Sequence, residues 1–287
     1  MKKSIIALII LGSLASSWAA TTINPANKFS YGANLGWMDW RGDTTTNAVI
    51  GEYVCSGFIY AANVGWINLG NGAATNGIQY QNLSAADFGL NQDGLGNLRG
   101  FAYGANIGWI NFETNGAPKV DLVTGRLSGS VYSANCGWIS LSNAFAFVQT
   151  DTIASGADTD GDGIADAWER LKFGNLTTAN AASDFDGDGV SDKNEYLADT
   201  NPSDAASKLV ITAFSTPVGG TSPNVTWNSV LTRQYRIQKT LDLNTLLWFD
   251  SGLGLISPDG STTTRNFSDT NAPIRYYRVQ GVKPLSP

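Results

Sequence analysis

A chain of 287 residues, 43% hydrophobic and 15% charged, has apolar mass for two or three small cores, which excludes wholesale disorder. It contains no histidine and two cysteines, so Ser-His-Asp and Cys-His catalysis, histidine-ligated zinc and histidine-ligated haem are excluded. A net charge of −6 gives no basic surface for nucleic acid.

In chain order, Lys2 and Lys3 precede an apolar run from Ile5 to Leu14 that is too short for a permanent span. Ser17-Trp18-Ala19 then supplies small residues at a cleavage site. Residues 1–19 read as a signal peptide, with an N-terminal anchor as the competing reading. The mature chain is expected outside the cytoplasm, secreted, at the cell surface or in the periplasm, with no membrane span.

Residues 20–150 carry an internal repeat: Tyr31-Gly-Ala-Asn-Leu-Gly-Trp37, Tyr60-Ala-Ala-Asn-Val-Gly-Trp66, Tyr103-Gly-Ala-Asn-Ile-Gly-Trp109 and Tyr132-Ser-Ala-Asn-Cys-Gly-Trp138. The tryptophans are 29, 43 and 29 residues apart, a duplicated unit that is itself double. Each copy alternates apolar and polar residues around a turn, the pattern of strand, reversal, strand. Asn34, Asn63, Asn106 and Asn135 are expected in the left-handed conformation at the reversal. Gly36, Gly65, Gly108 and Gly137 are expected to relieve crowding beside the indoles. Trp37, Trp66, Trp109 and Trp138 allow two readings: filler of a repetitive β-core, favoured because an aromatic recurs at a fixed strand position, or exposed platforms for sugar rings. Cys55 and Cys136 fall where sister copies are apolar; a disulfide is slightly favoured over two buried thiols. The copies resemble a Gly-x-Ala-Tyr/Trp-x-x-Asn-x-Gly-Trp-Ile repeat of exported bacterial proteins, over roughly 28–142. Lys28 departs from it, and the resemblance implies no activity.

Residues 151–204 hold 13 of the 24 acids and 3 of the 18 bases. Within them, 158–169 and 184–195 each match a twelve-residue calcium loop. Asp158, Asp160, Asp162, the Ile164 carbonyl, Asp166 and Glu169 form one ligand set. Asp184, Asp186, Asp188, the Val190 carbonyl, Asp192 and Glu195 form the other. Five carboxylates in twelve residues repel one another unless a hard cation gathers them, so two or more calcium ions are expected. Asp151, Asp199 and Asn201 are weaker candidates. Short helices are expected to leave the loops, over 165–173 and from Glu195, with none entering, which argues against a sensor that swings open. With Trp168-Glu169, Phe173-Gly174 and Thr200-Asn201-Pro202, the block resembles thrombospondin type 3 calcium repeats. That implies a stiffened connector holding the flanking modules apart; dockerins are a weaker resemblance.

Residues 207–287 alternate as strands with Trp227, Tyr235, Ile237, Trp248, Tyr277 and Val279 as candidate core, a β-sandwich loosely similar to fibronectin type III modules. The fold class is thus mainly β: a repetitive antiparallel β domain, a calcium-loop segment at 151–206 with one or two small helices, and a C-terminal sandwich.

The leading functional expectation is a non-catalytic surface or extracellular protein, binding or structural in role. A polysaccharide or a surface protein would be its partner, with glycan the favoured ligand class. Self-assembly into a layer or filament is the alternative. A carboxylate-dependent glycosidase is the third, although no acid among Asp39, Asp43, Glu52, Asp87, Asp93, Glu113 and Asp121 recurs in all four copies. Arg41-Gly42-Asp43 is read as a chance tripeptide.

Overall fold

The computed structural model describes residues 21–42, 45–216, 221–245, 247–269 and 275–286. The signal-peptide reading and Asp43 lie outside the described residues.

Each repeat copy folds as one antiparallel hairpin. The first is β1 (Ile23–Gly32) with β2 (Gly36–Asp39), the second β3 (Ser56–Ala61) with β4 (Gly65–Asn71). After β5 (Leu90–Gln92), the third pairs β6 (Leu98–Gly104) with β7 (Gly108–Asn111). After β8 (Lys119–Val120) and β9 (Leu127–Ser128), the fourth pairs β10 (Ser130–Ser133) with β11 (Gly137–Ser140), and β12 (Val148–Thr150) follows. Neighbouring hairpins join antiparallel, and β11 pairs back onto β1 through Tyr31 opposite Ser140 and Gly32 opposite Ile139. The sheet therefore closes into a barrel of four hairpins, which removes most of its edges. β5 and β12 add to its rim.

Alternation along the strands fills the barrel. Met38, Ile67, Ile110 and Ile139, each one residue after the motif tryptophan, are buried with Ile59, Ala102, Val131 and Leu141 in one core. Trp40 is buried among them and donates its Nε1–H to Ser30 Oγ at 2.9 Å. An interior packed with apolar side chains is the reverse of the polar lumen of membrane-spanning barrels.

The hairpin tips correct the expected turn chemistry. In each, a three-residue tip closes with a short bond such as Leu35 N–H to Gly32 O at 3.0 Å. Glycine, not asparagine, takes the left-handed conformation, with φ of 77°, 80°, 72° and 78° at Gly36, Gly65, Gly108 and Gly137. The asparagines are freed to reach the neighbouring hairpin. Asn34 Nδ2 donates to Cys136 O at 3.1 Å, Asn135 to Ile107 O, Asn106 to Val64 O and Asn63 to Leu35 O, each at 3.0 Å. The four bonds run head to tail around the end of the barrel.

The favoured disulfide is also corrected: Cys55 and Cys136 are buried free thiols. Cys136 is at a hairpin tip, whereas Cys55 precedes β3 at the opposite end. The six residues of β3 between these ends span roughly 20 Å, far beyond the reach of a bridge.

Beyond the barrel come α1 (Asp166–Phe173) and α2 (Asp192–Ala198). Gly174 at φ 75° stops α1 by donating to Arg170 O, and Ser191 caps α2. The C-terminal module has β13 (Ile211–Ser215), β14 (Asn224–Asn228), β15 (Gln234–Thr240), β16 (Phe249–Asp250), β17 (Thr262–Asn266) and β18 (Tyr276–Val282). Two three-stranded sheets, β13-β14-β17 and β16-β15-β18, enclose Val225, Trp227, Tyr235, Ile237, Ile256 and Phe267. Tyr277 and Val279 pack against this core. Trp248 stands apart from it, with the Arg278 guanidinium 4.4 Å over its ring. Among the described residues, no helix is long and apolar enough to cross a membrane.

Candidate metal centre and exposed aromatic belt

The two acidic loops fold alike. Asp158 accepts from Gly161 N at 2.8 Å and Gly163 N at 2.9 Å, and Asp184 accepts from Gly187 N and Gly189 N, both at 2.9 Å. Asp162 and Asp188 each accept from the N–H two residues on, at 2.7 Å. These bonds wrap the backbone so that Asp158, Asp160 and Asp162 bring carboxylate oxygens within 4.8 Å of one another, as do Asp184, Asp186 and Asp188. Asp166 and Asp192 point back into the loops, taking Thr159 and Ser183 hydroxyls at 2.5 Å. They hold loop shape. The carbonyls of Ile164 and Val190 accept no hydrogen bond among the described residues.

Glu169 and Glu195 are fully buried by the first turns of α1 and α2. Burial, reinforced by the aspartates of its own loop, pushes each carboxyl up to about 7. Both oxygens of Glu169 and one oxygen each of Glu195, Asp162, Asp186 and Asp188 are buried without a hydrogen-bond partner. Buried polar atoms are ordinarily satisfied; apart from Asp188 Oδ2, which has Lys208 Nζ at 3.6 Å, these carboxylate oxygens converge in two loops without a partner and fit a hard cation that takes oxygen ligands. Of the weaker candidates, Asp151 accepts from Asn24, and Asp199 ends α2 at φ 56° with its carboxylate on Thr232.

The loops are joined to each other and to both modules. Lys193 Nζ, on α2, donates to Asp162 O of the first loop at 2.7 Å, and Lys208 Nζ reaches Asp188 O at 3.1 Å. Trp168 and Tyr196 pack at 5.6 Å in a small core that Tyr53 of the barrel joins. Tyr196 also donates its hydroxyl to Glu52 Oε2 at 3.0 Å. Glu52 pairs with Lys283 at 2.6 Å and Arg233 at 3.5 Å, all nearly buried, and Arg233 donates to Tyr196 O and Leu197 O, both at 2.9 Å. Barrel, calcium segment and C-terminal module therefore meet at one ionic junction. The expectation of a connector holding the modules apart is corrected: the segment is the wedge on which both rest. Glu52, Tyr196, Arg233 and Lys283 are far apart in sequence, and no local pattern marks them.

Core filler is overturned as the reading of the motif tryptophans. Trp37, Trp66, Trp109 and Trp138 are 43–51% exposed. Each lies opposite its motif tyrosine, with ring centroids 4.8–5.2 Å apart. At the seams between hairpins, Asp39, Asn68, Asn111 and Ser140 lie opposite Tyr60, Tyr103, Tyr132 and Tyr31. The outer wall thus repeats one unit four times: an indole, a phenol and a polar side chain.

Among the described residues, the acids weighed for glycosidase chemistry are each engaged in a bond or ion pair. Asp39 pairs with Lys28 at 2.7 Å, and Asp87 accepts from Thr75 N and Gln81 N, each at 3.0 Å. Asp93 and Asp121 close turns, Glu113 accepts from Gly100 N at 2.9 Å, and Glu52 belongs to the junction.

Residues 158–174 and 184–205 match the family model described as the bacterial TSP3 repeat, a non-enzymatic calcium-binding repeat. No curated protein and no solved structure matches the chain.

Proposed function

We propose that this is an exported, non-catalytic binding protein whose calcium segment fixes the architecture and whose barrel wall binds glycan. Asp158, Asp160, Asp162, Ile164 O and Glu169 hold one calcium ion, and Asp184, Asp186, Asp188, Val190 O and Glu195 the other. Asp166 and Asp192 act through the loop or through water. The observation that carries the binding role is the belt of four exposed Tyr–Trp pairs. Exposed aromatic rings beside amide, hydroxyl and carboxylate groups match a sugar, with its apolar ring face and polar rim. Apolar surface of this kind on a soluble domain marks an interaction site.

The test is co-sedimentation of the mature protein with insoluble cellulose, chitin and xylan, in calcium and in chelator. Retention that weakens when Trp37, Trp66 and Trp138 are replaced together by alanine supports the reading. No retention on any polysaccharide overturns it. Calcium-dependent oligomers in light scattering, lost in the same triple variant, assign the belt to self-assembly instead.

A further inference from the structure

The four platforms are not equal, because the chain between β4 and β6 is longer than its counterparts. Residues 82–88 of this insertion lie against the third platform and border an open pocket of ≈ 420 Å³ beside Trp109. That volume lies in the range of small-molecule sites. Asn82, Leu83, Ser84 and Ala85 of the insertion line it together with the rings of Phe88, Phe101 and Trp109. Phe88, Phe101 and Tyr103 all meet the indole edge to face, at 5.1, 6.2 and 4.9 Å, and none stacks parallel on it. Trp109 stays 45% exposed. Among the described residues, the ring contacts of Trp37 and Trp66 are with their own hairpin's phenylalanine and tyrosine.

The insertion is built to hold its shape. Asn82 takes φ 56°, donates its N–H to Asp87 O at 3.0 Å and accepts from Gly89 N at 3.0 Å. The buried Asp87 carboxylate fastens the loop to Thr75 N and Gln81 N. A wall fixed before binding spares the ligand the entropy of ordering it.

Resting on the glycan reading above, we infer that this pocket is the principal sugar subsite and takes a single uncharged sugar ring, while the other three platforms add weaker contacts. The charge pattern selects the ligand: no lining residue is ionisable, so an anionic or cationic ligand finds no counter-ion there. Aromatic rings floor the pocket, and an amide and a hydroxyl stand at its side, the complement of a neutral pyranose.

The probes are cellotetraose, chitotetraose and xylotetraose, titrated by calorimetry and by tryptophan fluorescence. Trp109→Ala removes the floor. Ala85→Trp, at an exposed position, fills the pocket without touching the core, and Trp37→Ala is the control platform. A preserved calcium-dependent Tm shows that each variant is folded. Expected is one-to-one binding of at least one tetrasaccharide, weakened about tenfold or more by Trp109→Ala and by Ala85→Trp and no more than about twofold by Trp37→Ala, which removes one of the weaker contacts. Equal losses at Trp109 and Trp37, or a stoichiometry of four, overturn the principal subsite and leave the belt intact. Retention on insoluble polysaccharide without tetrasaccharide binding does the same. Failure on every polysaccharide and oligosaccharide removes both readings, and saturation by an apolar peptide instead of sugar reassigns the pocket.

Discussion

Asn63 shows how one side chain fixes a repeat. Its amide satisfies the Leu35 carbonyl of the neighbouring hairpin, and only a donor of that length, beside a glycine with no Cβ, reaches it. Asn63→Ala leaves that carbonyl unpaired and is expected to cost about 1 kcal/mol, read from the urea midpoint. Asn63→Asp, which keeps the shape and loses the donor, should cost at least as much. Glu195 is expected to behave oppositely with and without metal. It is buried with an unpartnered oxygen and three loop aspartates nearby, an arrangement unfavourable until a cation arrives. Glu195→Gln should therefore leave the Tm in chelator unchanged or higher, and abolish most of the Tm gain on adding calcium. Differential scanning calorimetry in both conditions checks this, and a variant that loses stability equally in both would assign Glu195 a packing role only.

At the scale of elements, the C-terminal sheets are clasped by Asp269, which is buried and accepts from Tyr277 OH at 2.7 Å, Lys239 Nζ at 2.9 Å and Arg275 Nε at 2.9 Å. Burial by itself would raise this carboxyl, but the tyrosine hydroxyl and the two cations outweigh it and hold it low. A depressed folded value means that its contribution is complete above about pH 4 and is lost as pH falls through the folded value. Asp269→Asn should cost about 3 kcal/mol at pH 7 and flatten the fall in urea midpoint below pH 4. The hairpins, calcium loops and exit helices were legible because their signals are local: turn residues, ligand spacing, a Gly174 stop. The face of the tryptophans was not, because both faces of each hairpin carry bulky side chains, Tyr31 and Trp37 on one and Met38 on the other. Closure decides it. A narrow eight-stranded interior takes Ile67, Ile110 and Ile139 against Ala61 and Ala102, and has no room for four indoles. Closure depends on β1 meeting β11 across more than a hundred residues, which no sequence window contains.

At the scale of the molecule, calcium and architecture converge on α2. Glu195, a proposed calcium ligand, and Tyr196, a junction residue, are consecutive, so an ion held by one would orient the other. Arg233 reads the same helix through the carbonyls of Tyr196 and Leu197 while pairing with Glu52 of the barrel. With calcium the like charges of the loop are neutralised and α2 is held; without it their repulsion acts on the helix that carries the junction. Removing calcium is thus expected to do two things: expose 151–205 to trypsin, and loosen the barrel against the C-terminal module, seen as a larger radius of gyration in solution scattering. Tyr196→Phe separates these effects. It deletes the hydroxyl that Glu52 accepts and leaves every loop carboxylate in place, so it should loosen the modules in calcium while leaving calcium affinity within a few-fold of wild type. If chelation lowers the Tm but the radius of gyration stays constant, calcium stabilises its own loops and the ionic junction holds the modules by itself. Glu52→Gln would then be the substitution that parts them, because it leaves Arg233 and Lys283 buried without a carboxylate between them.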